Sequence, residues 1–141
     1  MQANFILELP NDLRAIERAV DYLMSRCYEA GFNRDRLRLN LRVGVSEALA
    51  NAMLYGNASD PDKRVLVEAH FTANSVVVRV TDEGSGFDPD ALPDPTLPAN
   101  RTRPHGRGIF LIRQLMDRVE FNREGNSITM ILFDEPAAAE I

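Results

Sequence analysis

The stretch that most limits the fold is Arg64–Asp82. Its two runs, "RVLVEAHF" and "SVVVRVTD", alternate apolar with polar side chains, and "TANS" joins them. A period of two marks a strand with one buried face. A connector this short predicts an antiparallel hairpin.

The rest of the chain supplies a cover and further strands. "FILEL" turns Phe5, Leu7 and Leu9 to one side, a third strand pattern, and Pro10-Asn11 breaks it. Asn11 is expected to cap a helix running to about Ala30, with Leu13, Ile16, Val20, Leu23 and Cys27 at helical spacing. "AGFN" closes that helix. A second helix is predicted over Asp35–Tyr55, with Leu37, Leu41, Val45 and Leu49 on one stripe, and "GNASDPD" follows as a loop. "GRGIFLIRQLMDR" begins on glycines and becomes a third helix. "VEFN" and "SITMILF" form a last hairpin around "REGN", and "EPAAAEI" is a frayed tail. Residues 87–105 hold five of the eight prolines and little periodicity, a loop too long for a mere connector. Helices and hairpins segregate, so the expected class is α+β: a two-layer sandwich of a mostly antiparallel sheet with helices on one face. At 141 residues the chain is long enough for a single domain, 1–141, with its own core.

Charge and composition exclude several functions. The net charge is −5 with no polybasic block, which argues against nucleic acid. Apolar runs such as "IFLI" and "MILF" are too short for a membrane span, and the N-terminus has no basic region of a signal peptide. Cys27 is the sole cysteine, so no internal disulfide forms. A cytoplasmic protein is the expectation. Of 16 basic residues 15 are arginine, and the one lysine, Lys63, lies outside any glycine-rich loop, so there is no lysine-bearing phosphate loop. His70 and His105 stand far apart with no second cysteine, which argues against zinc.

Three short patterns carry chemistry. Glu47 and Asn51 stand at i and i+4, on one helix face, among the small residues Ala48, Ala50 and Ala52. An acid and an amide facing a gap suit a cation and a nucleophile; on a surface helix the same pair is simply solvated. Asp82 ends a strand, and its ionised carboxylate, an acceptor only, suits an exocyclic amino group such as that of adenine. Gly84 and Gly86 let backbone approach a base, though turns use glycine as well. Gly106-Arg107-Gly108 opens a helix whose free N–H groups and positive dipole end suit a phosphate chain.

In this order, E-x-x-x-N on a helix, D-x-G-x-G after a strand, a long loop, then G-x-G before a helix, the chain resembles the GHKL ATPase superfamily over nearly its whole length. "SEALANAMLYGN", "DEGSGFD" and "GRGIFLIRQLMDRVEF" are most similar to bacterial anti-sigma factor serine kinases of the RsbW and SpoIIAB type. The resemblance implies ATP and Mg²⁺, with Asn51 as the metal ligand and Glu47 as the general base. It makes Asp82 the reader of adenine, Gly84 and Gly86 the shapers of the base pocket, and Gly106, Arg107 and Gly108 the phosphate cradle. Residues 88–104 would be a mobile lid. Two positions depart from the family. Tyr55 stands where relatives often carry histidine, and Gly125-Asn126 replaces a Gly-Thr pair whose hydroxyl supports the aspartate; Asn126 is able to donate the same bond.

The implied activity is phosphorylation of a serine on a small anti-sigma-factor antagonist, by a homodimer that also binds a sigma factor. A nucleotide-gated binding module without phosphotransfer is the rival, and an ATPase acting with a separate partner is a third possibility. His105, Arg101, Arg103, Arg14 and Arg18 are weaker candidates for ligand or partner contacts.

Overall fold

The computed structural model describes residues 3–84 and 104–134, with backbone only at 104–107. Five strands form one antiparallel sheet: β1 (Phe5–Pro10), β2 (Arg64–Phe71), β3 (Ser75–Asp82), β4 (Arg118–Phe121) and β5 (Ser127–Phe133), in the order β1-β2-β3-β5-β4. Three helices accompany it: α1 (Ala15–Glu29), α2 (Asp35–Asn51) and α3 (Pro104–Leu115). The architecture is α+β, as the alternation and segregation of the elements predict.

The pleat explains why one face is covered. Val65, Val67 and Ala69 on β2, Val76, Val78 and Val80 on β3, and Ile128, Met130 and Leu132 on β5 are all buried. They meet Val20 and Leu23 of α1, Leu41, Val45 and Leu49 of α2, and Ile112 of α3 in one continuous core. Side chains between them point to the opposite face, where Glu68 and Arg79 oppose each other across β2 and β3 and pair at 3.6 Å.

α1 ends in a Schellman motif. Gly31, at φ +94°, donates its N–H to the carbonyl of Tyr28 at 3.0 Å, and Phe32 donates to Cys27 at 2.9 Å. Phe32 and Cys27 are both buried, supplying the apolar contact that accompanies this ending. "AGFN" therefore closes the helix as expected.

Several boundaries differ from the expectations. Asn11 does not cap α1, which starts four residues later; the Ala15 N–H bonds to the Asp12 carbonyl in an intervening turn, and the Asn11 amide points elsewhere. Leu13 precedes the helix and is exposed. α2 stops at Asn51, and Ala52–Gly56 form a π-turn in which the Asn57 N–H reaches back five residues to Ala52 at 2.7 Å. A 3.6-residue periodicity cannot register that one-residue widening. α3 begins at Pro104, two residues before the first glycine, so Pro104 and His105 belong to a helix and not to a loop, and it ends at Leu115. Proline suits this first helical position because the N–H it lacks has no intrahelical acceptor there. The expected lid, apart from Pro104, lies outside the described residues, as do Gly86, Arg101, Arg103 and the tail from 135 on.

The buried stripe of α2 gives the core its firmest test. Leu49 is fully enclosed, so Leu49→Ala should lower the unfolding free energy by about 2–5 kcal/mol. Urea denaturation should show a lower midpoint with an unchanged slope.

Candidate functional site

A pocket opens where the end of α2, the π-turn, the end of β3, the β4–β5 hairpin and the start of α3 converge. Its wall is apolar on several sides, from Ala48, Val80, Ile109, Phe121 and Ile128, with polar groups from Asn51, Asp82, Asn126 and Ser127. Planar apolar surface with a few aimed polar groups is the chemistry that binds a heteroaromatic ring.

Asp82 stands at the end of β3 because its own main chain is tied on both sides. Its N–H bonds to the Asn126 carbonyl at 2.9 Å, and its carbonyl accepts from Asn126 Nδ2 at 3.2 Å. Asn126 thus supports Asp82 through its main chain. The Asn126 amide is itself oriented by Asn122, whose Nδ2 donates to Asn126 Oδ1 at 2.6 Å. Gly125 turns the hairpin at φ +76°. The Asp82 carboxylate accepts one bond, from the Gly84 N–H at 2.8 Å. Burial pushes its pKa above the ordinary carboxylate value; the Gly84 bond and the positive charge of Lys63 oppose that shift.

Gly56 and Gly84 make this corner possible. A Cβ on Gly56 would run into the Asp82 carboxylate, and one on Gly84 would run into the Gly56 carbonyl. The π-turn and the turn after β3 therefore meet closer than a side chain at either glycine allows.

Asn51 is the opposite polar pole. It is 9% exposed, and its Nδ2 has no hydrogen-bond partner among the described residues. Gly108 of α3 lies directly against it: a Cβ there would stand 2.6 Å from Nδ2 and 3.0 Å from Oδ1. α3 is held at its far end as well, where Asn40 Nδ2 donates to the Leu115 carbonyl at 3.0 Å. The helix start and the amide are thus packed together by the α2–α3 contact. Gly106 falls in the first turn of α3, where N–H groups lack intrahelical acceptors. The Arg107 side chain lies outside the described residues. Glu47 is half-buried one turn before Asn51 on α2 but does not line the pocket.

A sequence profile of the histidine kinase-like ATPase domain matches residues 9–132, which takes in every element around this pocket. The chain belongs to the histidine kinase-like ATPase domain family. Within that family it is 30% identical over 137 residues to a protein from Listeria innocua named serine-protein kinase RsbW, covering 92% of this chain and 87% of the relative. It is 29% identical over 97 residues to the anti-sigma F factor of Clostridium perfringens, covering 66% of this chain and 68% of the relative. A serine-protein kinase RsbW from Oceanobacillus iheyensis matches at 26% over 107 residues, 72% of this chain and 67% of the relative.

In this ATPase-like domain, the motifs found in the sequence converge: Asn51, Asp82, Gly84, Asn126 and Gly108 all gather at one corner. Sequence reasoning missed Gly56, Asn57, Lys63 and the apolar wall. Gly56 and Asn57 stand in "GNASDPD", and their composition reads as a plain loop. Among the described residues no three His, Cys, Asp or Glu side chains cluster to form a metal site. Mg²⁺ commonly takes only one or two protein oxygens beside a ligand's phosphates. Asn51 Oδ1 is the atom that suits such a cation, while its Nδ2, the atom without a partner, is a donor and suits an acceptor such as a phosphate oxygen.

The raised pKa of Asp82 has a consequence for stability. The folded protein favours the protonated acid, so this contribution is complete below the unfolded pKa and is lost as pH rises through the folded one. At neutral pH the ionised carboxylate is a burden on the ligand-free fold. Asp82→Asn should therefore melt higher than the parent at pH 7, and the difference should vanish below about pH 4, where the parent is protonated too. Thermal unfolding across that pH range provides the measurement.

Proposed function

We propose that the pocket binds ATP with Mg²⁺ and that the chain is an anti-sigma factor and serine kinase acting on a small anti-sigma-factor antagonist. The observation that carries this is the pairing, in one pocket, of a half-buried carboxylate at Asp82 with a buried amide at Asn51, its Nδ2 unpartnered, against the start of a helix. The relatives named serine-protein kinase and anti-sigma F factor supply the substrate class.

In this reading Asp82 accepts from the adenine amino group. Val80, Ile109, Phe121 and Ile128 enclose the ring, and Gly56 and Gly84 give it backbone-close access. Asn126 keeps Asp82 in place through its main chain. Gly106, Arg107 and Gly108 face the phosphates at the start of α3, where dipole and N–H groups favour negative charge. Asn51 would hold Mg²⁺, which when bound neutralises phosphate charge and raises the electrophilicity of the γ-phosphorus. Glu47 takes the proton from the antagonist's serine as its Oγ bonds to the γ-phosphorus and the bond to the ADP oxygen breaks. Gly86 helps shape the base pocket and the hinge of a lid over the nucleotide, formed by the stretch from 88 up to the start of α3. The protein works in the cytoplasm as a homodimer, with a sigma factor as its second partner. Among the described residues no helix is long and apolar enough to cross a membrane.

A second reading is favoured by the position of Glu47 outside the pocket lining. Nucleotide would then only gate partner binding, with no transfer.

The two readings separate on one residue. Glu47→Gln keeps the shape and removes the base, so single-turnover phosphorylation of the antagonist with labelled ATP should slow by about 10²–10⁴. ATP affinity and antagonist pull-down should stay near those of the parent. A parent protein that binds partners only with ATP, yet phosphorylates none, decides for gating. In the same preparation Asn51→Ala should abolish the Mg²⁺ stimulation of ATP binding, read by calorimetry with and without the metal.

A further inference from the structure

Asn57 is fully buried, a rare place for an amide, and every polar atom of its side chain is engaged. Its Oδ1 accepts from the Glu83 N–H at 2.7 Å. Its Nδ2 donates to the Arg64 carbonyl at 3.0 Å and to Asn11 Oδ1 at 3.1 Å. The Glu83 side chain closes the loop by accepting from the Arg64 N–H. Asn57 thereby joins the end of the π-turn, the start of β2 and the residue directly after Asp82.

Asn11 stands behind it. Its Nδ2 donates to the Met53 carbonyl at 3.3 Å and to the Asp60 carbonyl at 3.0 Å. Met53 lies inside the π-turn, where the widened register departs from the helical bonding pattern; its carbonyl also accepts from the Ser59 N–H at 2.9 Å. The two residues after Asn57, Ala58 and Ser59, sit at φ +51° and +59°, a left-handed pair that side chains adopt at a cost. The chain accepts that strain where it seats Asn57. None of these groups lines the pocket, yet the peptide they grip is the one that turns from Asp82 to Gly84.

We propose that Asn57, backed by Asn11, is a positioning residue for Asp82: it fixes the Asp82–Gly84 turn against Gly56 and so sets where the acceptor carboxylate stands, without touching the ligand. The proposal rests on the reading of this pocket as an adenine-nucleotide site. Its geometric half, the hold on the turn, is independent of the ligand. A purely structural amide would alter stability alone; a positioning one must also alter the Gly84 N–H bond to Asp82 and the affinity that depends on it.

The test compares Asn57→Ala and Asn11→Ala with Val20→Ala, a core change on α1, which contributes nothing to the pocket wall. All are examined at a temperature where they are folded. Amide hydrogen exchange at Gly84 and calorimetric affinity for ATP with Mg²⁺ are the two readouts. In Asn57→Ala, Gly84 should lose protection and ATP affinity should fall by about tenfold or more, the scale of one buried hydrogen bond. Asn11→Ala should show the same changes to a lesser degree, and Val20→Ala neither, even with a comparable loss of melting temperature. Should Asn57→Ala fail to fold, Asn11→Ala carries the comparison. Gly84 protection unchanged in the amide variants, or lost equally in Val20→Ala, overturns the proposal. If the parent binds no ATP, the nucleotide reading fails, and the exchange arm still decides whether Asn57 holds the turn.

Discussion

At Gly56 the backbone of the π-turn lies directly against the carboxylate of Asp82, so closely that one added carbon would overlap the acid. Gly84 packs on the Gly56 carbonyl from the other side. The pocket depends on this close approach of the two segments. It draws the end of α2 onto the end of β3 and leaves Asp82 half-buried at the pocket wall with one main-chain donor. A continuous α-helix through residues 52–56 would carry Gly56 off the strand, because a π-turn shifts the register by one residue.

The second close approach, Gly108 of α3 on Asn51, completes the geometry. α2 therefore serves two purposes along its length. Its buried stripe of Leu37, Leu41, Val45 and Leu49 joins the core, and its last turn presents an amide without a partner. An unsatisfied buried amide costs on the order of 1–3 kcal/mol, as does burial of a carboxylate, whose pKa rises in response. Both costs fall at the same pocket, where a ligand offering a donor to Asp82 and an acceptor to Asn51 Nδ2 would relieve them. The histidine kinase-like ATPase domain supplies the rigid sheet and helices that make such a strained corner affordable.

The fold was largely legible in the sequence because it rests on periodicity. Alternation in Arg64–Phe71 and Ser75–Asp82 gave the central hairpin to within a residue, and the Leu37–Leu49 stripe gave the buried face of α2. Motif residues were legible for the same reason: Asn51, Asp82, Gly84 and Gly108 stand at fixed offsets from helix and strand ends. What escaped was local and irregular. Asn11 has the composition of a helix cap, yet its amide is taken by carbonyls 42 and 49 residues away in sequence. Asn126 was expected to donate a bond that supports Asp82, and the acceptor it finds is the Asp82 main-chain carbonyl. Local pattern names which residue is able to donate a bond, but not which acceptor it finds.

The sequence by itself determined the α+β class, the antiparallel pairing, the family and the identity of the polar residues. These follow from spacing along the chain, and spacing is written in the residues. Only the tertiary structure decided that α2 ends in a π-turn, that Gly56 packs on the Asp82 carboxylate, that Asn57 accepts from the Glu83 N–H just after it, and that Lys63, the single lysine, places its charge near Asp82. Each of these depends on contacts between segments far apart in the chain, where packing against a neighbour overrides the preference of the local stretch.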